Sequence, residues 1–382
     1  MNSYRMEIST VEAIPVSHEL EDGRGYGSSR GTTSERSMAL VRLTTDNGIT
    51  GWGEAFAPPR TVATLIEEQL ADEIVGMDPY GVESLCERVY AGRYHFSNHA
   101  YLQSALSGID LALWDIIGKA VERPVHKLLG GKSRTELTPY ASTMYVTEWG
   151  QDPAEPIEAA AEEGFTAAKI KIGRGIDDDL KRVRTAREIL GEDAHLMVDF
   201  NGNYRADQAI RAARELSEFN LSWIEEPVPP ESASAYRKVS EAIDVPLAAG
   251  EAHYGRFEFK RLAEEYGVTV LQPNIGRCGG FSEARTIYKQ ATTENAIVRP
   301  HVWNSGIGLA AAIQLAAAVP DYPHSENVPE PILLEFDRST NPLRHELLET
   351  PFDPTGGSLE VPQEPGLGIT VDEAAVERYR TD

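Results

Sequence analysis

Asp199, Glu225 and Glu251 stand at equal intervals of 26 residues. Each closes a short apolar segment: His195-Leu-Met-Val-Asp199, Leu221-Ser-Trp-Ile-Glu225 and Pro246-Leu-Ala-Ala-Gly-Glu251. Three carboxylates brought to one place would hold a hard divalent cation, and Mg²⁺ suits such oxygen ligands. A single acid at a strand end is more often a helix cap or a surface charge. Three in consecutive units point to a metal site. Glu225 is followed by Glu226-Pro227, so either glutamate could be the ligand, and strand register favours Glu225.

The segment Lys169-Ile-Lys171 carries two of only nine lysines in the chain. Residues i and i+2 of a strand face the same way, so both ammonium groups should enter the same space. Two such charges about 7 Å apart repel by about 2.4 kcal/mol at an effective dielectric of ~20, which lowers one pKa by roughly 1.7 units. Burial lowers it further. The pair is therefore expected to supply a neutral lysine base beside a cationic lysine. His301 and Glu335, in Arg299-Pro-His301-Val-Trp303 and Leu333-Leu-Glu335-Phe-Asp337, are candidates for an acid/base and a hydrogen-bonding group. Asn201, Asn274 and Trp303, near the ends of further strands, are expected to contact substrate.

Elements that would bring these residues together are readable in the chain. From about residue 131, apolar runs alternate with helical spacing. Strands are expected near 137–143, 167–172, 195–200, 221–225, 246–250, 268–273, 296–301 and 332–336, with helices such as Asp177–Leu190, Asp207–Phe219 and Phe257–Tyr266 between them. This predicts an α/β chain with a (β/α) barrel over 131–340, whose site lies at the carboxyl ends of the strands. A doubly wound sheet would call for a Gly-rich phosphate fingerprint after the first strands, and none is present. Residues 1–130 read as a separate α+β unit. Its hairpin runs from Ala39 through Asp46-Asn-Gly48 to Glu54, and helical spacing covers 61–75, 79–92 and 100–120. The tail, 341–382, is expected to pack back on that unit. Segments near 19–30 and 54–60 are candidate lid loops, with Arg24, Tyr26 and Arg60 as possible substrate contacts.

The net charge is −24. That excludes nucleic acid and anionic membranes as partners of a positively charged surface. Nine lysines against 27 arginines, beside 60 Asp and Glu, suggest a halophilic host, the alternative being an ordinary acidic enzyme. Only Cys86 and Cys278 are present, so no disulfide framework is written. The first residues lack an apolar signal region, and the apolar stretch Gly308–Val319 is too short to span a bilayer. A cytoplasmic location is expected.

Several further motifs occur in a fixed order: Asn47-Gly-Ile-Thr-Gly-Trp-Gly-Glu54, Ala105-Leu-Ser-Gly-Ile-Asp-Leu-Ala-Leu-Trp-Asp115, Asp199-Phe-Asn201, Trp223-Ile-Glu225-Glu-Pro227, Gly250-Glu251 and Cys278-Gly-Gly280. With Lys169-Ile-Lys171 they resemble the enolase superfamily, in its mandelate racemase subgroup. The resemblance implies a modified (β/α)₇β TIM-like barrel under an N-terminal capping domain completed by the C-terminal tail, and a homo-oligomer. It implies Mg²⁺ on Asp199, Glu225 and Glu251, Lys171 as base, Lys169 on the substrate carboxylate, His301 as second acid/base, and Glu335 donating to the enolate oxygen. Lys169-Ile-Lys-Ile-Gly-Arg-Gly-Ile-Asp177, Pro300-His-Val-Trp303 and Glu335-Phe-Asp-Arg-Ser-Thr-Asn-Pro342 resemble the acid-sugar lactone cycloisomerases of the subgroup.

The expected reaction is removal of the proton next to a carboxylate of a sugar acid, then elimination that opens an aldarate lactone to a 2-keto-3-deoxy acid. Dehydration of an aldonate or aldarate is the alternative, ahead of racemisation or a non-catalytic binding barrel. One departure bears on this choice. The subgroup usually places an aspartate where Leu271-Gln-Pro-Asn274 has Asn274. Asn274 can orient His301 but cannot support an imidazolium by charge, so His301 should be a weak base.

Overall fold

Apolar and polar residues alternate along Ile8–Glu19, Glu35–Thr45 and Thr50–Ala55, and these form an antiparallel three-stranded sheet in that order. A computed structural model describes residues 6–21, 25–95, 100–146, 153–325, 327 and 330–381. Arg24 lies outside these described residues.

Helix Ala100–Ala120 packs on the sheet and is buried on nearly every face. The approach is close enough to require glycine. A Cβ at Gly53 would stand 2.0 Å from the carbonyl oxygen of Gly108, and one at Gly51 2.1 Å from that of Ala112. The other side of this helix meets the second half of the chain. There, Asp110 accepts hydrogen bonds from the backbone N–H groups of Phe281 (2.6 Å) and Ser282 (3.3 Å), at the start of helix Gly280–Thr293.

Among the described residues, eight parallel strands follow, separated by seven α-helices. The strands are one (Glu136–Thr143), two (Ala167–Lys171), three (His195–Asp199), four (Leu221–Glu225), five (Leu247–Ala249), six (Val270–Leu271), seven (Ile297–Val298) and eight (Leu333–Asp337). They pair in sequence from one to seven, and strand eight pairs with strand one. Among the described residues no ladder forms between seven and eight. That seam is crossed instead by a side chain, the Val302 N–H donating to Glu335 Oε2 at 2.8 Å. This is the expected (β/α)₇β barrel under an N-terminal cap.

The barrel interior is layered. Tyr140, Ala167, Met197, Trp223, Ala248, Val270 and Leu333 form an apolar floor. Two residues further along their strands stand Lys169, Asp199, Glu225, Gln272 and Glu335, all buried. Strand alternation thus lifts the polar set one layer above a dry plug, at the carboxyl ends of the strands. Ala168, Ile170, Val198 and Ile224 point the other way, into the core beneath the helices.

Strands six and seven are shorter than their apolar runs suggest. Pro273 and Pro300 lack the N–H that would continue each ladder. A single bridge between Asn274 and His301 keeps the two segments adjacent.

The tail touches both halves. Leu359–Glu360 pairs antiparallel with strand one. Helix Glu373–Tyr379 leads to Thr381, whose N–H donates to Pro15 O at 2.9 Å in the cap sheet. Among the described residues, no helix is long and apolar enough to cross a membrane.

Candidate active site

A cleft of about 230 Å³ opens over the polar layer, lined by Lys171, Asn201, Glu251, His301, Trp303, Arg277 and, from the cap, Tyr26 and Phe56. The glycine-rich lid segment contains a hairpin, Tyr26–Ser28 with Gly31–Thr33, anchored to the barrel. Ser29 Oγ donates to Phe200 O at 2.7 Å, and Val146 N to Gly27 O at 2.9 Å. Arg60 is exposed and faces a neighbouring depression of 630 Å³ instead.

Asp199, Glu225 and Glu251 each present a carboxylate oxygen within 4.8 Å of the other two. Glu226 is also buried, at a left-handed φ of 39°, and is not one of the three gathered acids. Burial, resisted by Lys169, pushes the Glu225 carboxyl up to about 8. It pushes Glu226 well above the usual carboxylate range, with the charge of Glu251 adding to the effect. Glu251 Oε2 is buried with no hydrogen-bond partner among the described residues, and the His301 ring nitrogen Nε2 lies 3.3 Å away. A crowded acid group of this kind is short of positive charge, and a cation bound by Asp199, Glu225 and Glu251 fits it.

Both lysines enter the site from strand two. Lys169 Nζ lies 2.5 Å from Glu225 Oε1 and 2.9 Å from Glu335 Oε1. Lys171 Nζ lies 2.5 Å from Asp199 Oδ2 and 5.1 Å from the centre of the Trp303 ring. The expected depression of a lysine pKa is not found. Burial pushes both ammonium groups down, but the carboxylates opposite outweigh burial and mutual repulsion and hold both above the usual lysine range. Pairwise reasoning on the lysines left out the acids that face them.

Glu335 also departs from expectation. Burial favours its protonated form, yet Lys169 and His301 hold its carboxyl below the usual range. It therefore accepts hydrogen bonds, from Val302 N–H among others, where a donor to an enolate was expected.

His301 stacks on Trp303 with ring centres 6.4 Å apart and 14° between planes. Burial lowers its pKa, against the pull of Glu251 and Glu335, so the ring is neutral near pH 7. Asn274 does not line the cleft; it lies behind the histidine. Its Oδ1 accepts from the backbone N–H of Gly276 at 2.9 Å, which fixes the amide's orientation. Its Nδ2 then donates to His301 Nδ1 (3.0 Å) and to Asn304 Oδ1 (2.9 Å). With Nδ1 an acceptor, the ring proton sits on Nε2, facing Glu251. Asn304 Nδ2 in turn donates to Glu54 Oε1 of the cap at 2.7 Å.

Sequence reasoning missed Gln272, Asn304 and Glu54 as site residues. Gln272 Nε2 donates to Glu225 Oε2 at 2.5 Å. Its position two residues before Asn274 on strand six was the available signal. Asn201 and Trp303 do line the cleft, and Asn201 Oδ1 and Trp303 Nε1 are buried without a partner among the described residues.

The chain and its fold have counterparts among known proteins. A family model described as enolase C-terminal domain-like matches residues 153–375. A second, described as mandelate racemase/muconate lactonizing enzyme, N-terminal domain, matches residues 14–130. The chain belongs to the mandelate racemase/muconate lactonizing enzyme family of the enolase superfamily. Within that family it is 36% identical to D-galactarolactone cycloisomerase of Agrobacterium fabrum, over 98% of this chain and 99% of that protein. Identity to D-galactonate dehydratase of Ralstonia nicotianae is 33%, over 90% and 91%. Among solved structures of the family, 3,6-anhydro-D-galactonate cycloisomerase from Zobellia galactanivorans superposes with a TM-score of 0.87 at 34% identity, covering 98% of this chain and 100% of that one.

Proposed function

We propose that this chain is an Mg²⁺-dependent enzyme that removes the proton α to a carboxylate of a sugar acid and eliminates a group from the next carbon, opening an aldarate lactone to a 2-keto-3-deoxy acid. The observation that carries this reading is one inward row of two lysines facing three gathered carboxylates. Mg²⁺ on Asp199, Glu225 and Glu251 would neutralise the acids that hold both lysines charged and offset the second negative charge that proton removal places on a carboxylate.

Lys171, which lines the cleft, takes the α-proton as a neutral amine. Trp303 walls that ammonium position and limits its rotamers. Lys169 lies deeper, stays charged and pairs with the substrate carboxylate. His301, neutral with its proton on Nε2, donates a hydrogen bond to the leaving oxygen and does not release that proton. Racemisation needs a base on each face of the substrate, and this histidine cannot be the second. A lactone carboxylate leaves more readily than hydroxide and needs less help from an acid, which favours ring opening. Dehydration of an aldonate is the second reading, supported by the arabinonate and galactonate dehydratases at 29–33% identity.

The test is incubation in D₂O with Mg²⁺ and a panel of acid sugars and their lactones, followed by proton NMR. A 2-keto-3-deoxy product is expected, with Lys171→Met losing about 10²- to 10⁴-fold in kcat. Recovery of epimerised substrate, or no turnover and no exchange across the panel, overturns the reading.

A further inference from the structure

Several cations around the mouth are matched by acids. Lys169 meets Glu225 and Glu335, Lys171 meets Asp199, and Arg36, behind Tyr26, meets Asp337. Arg277 is different. It follows strand six and lines the same cleft as Lys171, Glu251 and His301. Its Nη1 donates to the backbone oxygen of Glu251 at 2.6 Å and its Nε to that of Phe56 at 3.3 Å. The guanidinium lies over the Phe56 ring, 4.8 Å from its centre. No carboxylate among the described residues comes within 4.0 Å of it, and Nη2 has no hydrogen-bond partner among them.

This is an unusual way to keep a cation in a chain of net charge −24. Two carbonyls and a ring hold the planar fork rigid, and its charge is left for something else to neutralise. Guanidinium groups held in this way suit a carboxylate, which takes two parallel N–H donors. The reacting carboxylate of the substrate is already provided for at Lys169, on the opposite side of the barrel mouth. A monoacid ends in a neutral hydroxymethyl group and would leave Arg277 unpaired and partly desolvated. A diacid carries a second carboxyl group to the position where this cation waits, free in the open acid and, in the lactone, bound in the ring ester until elimination releases it as a carboxylate.

We infer that Arg277 is a specificity-determining residue that binds the distal carboxylate of a dicarboxylic sugar acid, so that this site prefers aldaric over aldonic substrates. This rests on the proton-abstraction reading for which end of the substrate reacts, but the subsite can be measured without turnover.

The experiment is calorimetric binding, in Mg²⁺ buffer, of galactarate and of galactonate, which differ by one terminal carboxylate. Unaltered protein is expected to bind galactarate about 10- to 100-fold more tightly. In Arg277→Gln that ratio should collapse to near one. In Arg277→Lys, which keeps a cation and guards against misfolding of the first variant, most of the ratio should remain. A residue that merely ties Phe56 to the barrel would weaken both acids alike and leave the ratio unchanged. Equal binding of the two acids by unaltered protein, or an unmoved ratio in Arg277→Gln, overturns the proposal. If no acid sugar or lactone of the panel is turned over while galactarate still binds through Arg277, the subsite stands and the proton-abstraction reading fails.

Discussion

The proton on His301 is decided by a backbone N–H two residues beyond Asn274. Gly276 can only donate, so Asn274 must turn its oxygen toward Gly276 and its amino group toward the histidine. An aspartate at position 274 would reverse this. It would accept from Nδ1–H, leave Nε2 free to take a proton, and raise the basicity of the ring. Asn274→Asp is therefore expected to lower ring opening by about tenfold near pH 7 and to introduce deuterium exchange from the face opposite Lys171. Stereochemical analysis of substrate recovered from D₂O checks this; unchanged products would remove the tautomer from the mechanism. The single letter at 274 was legible in the sequence as a departure, and so was its cost to His301 as a base. Its full consequence was not legible, because it depends on the direction of one N–H in a turn.

Elements of the cap hold the barrel by capping its helices. Asp110 caps helix Gly280–Thr293, and Glu54 accepts from Ser305 N (3.0 Å) and Gly308 N (3.2 Å) at the start of helix Gly306–Ala318. Each acid sits at the positive end of a helix in another domain. Burial, opposed by Ser282 and the two N–H groups, pushes the Asp110 carboxyl up from 3.8 to about 7. A carboxyl raised on folding contributes stability in full below its ordinary pKa and loses it as pH rises through the folded value. The melting temperature should thus fall between about pH 4 and pH 7, and Asp110→Asn should flatten that fall by about 3 °C. A melting series across this range decides it, and an unchanged slope in the variant counts against the assignment.

Neither cap acid could be placed from sequence, since nothing in a helical period names the partner on another domain. The periods themselves were informative. Helix 100–120 and strand four have the bounds expected of them, and the other strands differ by a residue or two except where proline cuts six and seven short. The lid hairpin was read as a loop because three-residue strands carry too little alternation to register.

At the scale of the whole molecule, self-repulsion dominates. A charge of −24 works against compactness, and salt screens it over a Debye length of about 10 Å at 0.1 M and about 3 Å at 1 M. We expect the melting temperature to rise by about 5 °C or more between roughly 0.1 and 2 M KCl, as a halophilic protein requires. A flat or falling profile in a salt titration would instead mark an ordinary acidic enzyme.

The contact from Glu54 to Asn304 has a practical consequence for anyone building hybrid proteins. The cap carries the hairpin that lines the cleft, so exchanging caps between relatives is the natural route to new specificities. Here the donor cap must also bring a carboxylate at position 54, on a hairpin seated as closely as Gly51 and Gly53 allow. Without it, a graft chosen to alter recognition also frees Asn304 and, through Asn274, disturbs the orientation of His301.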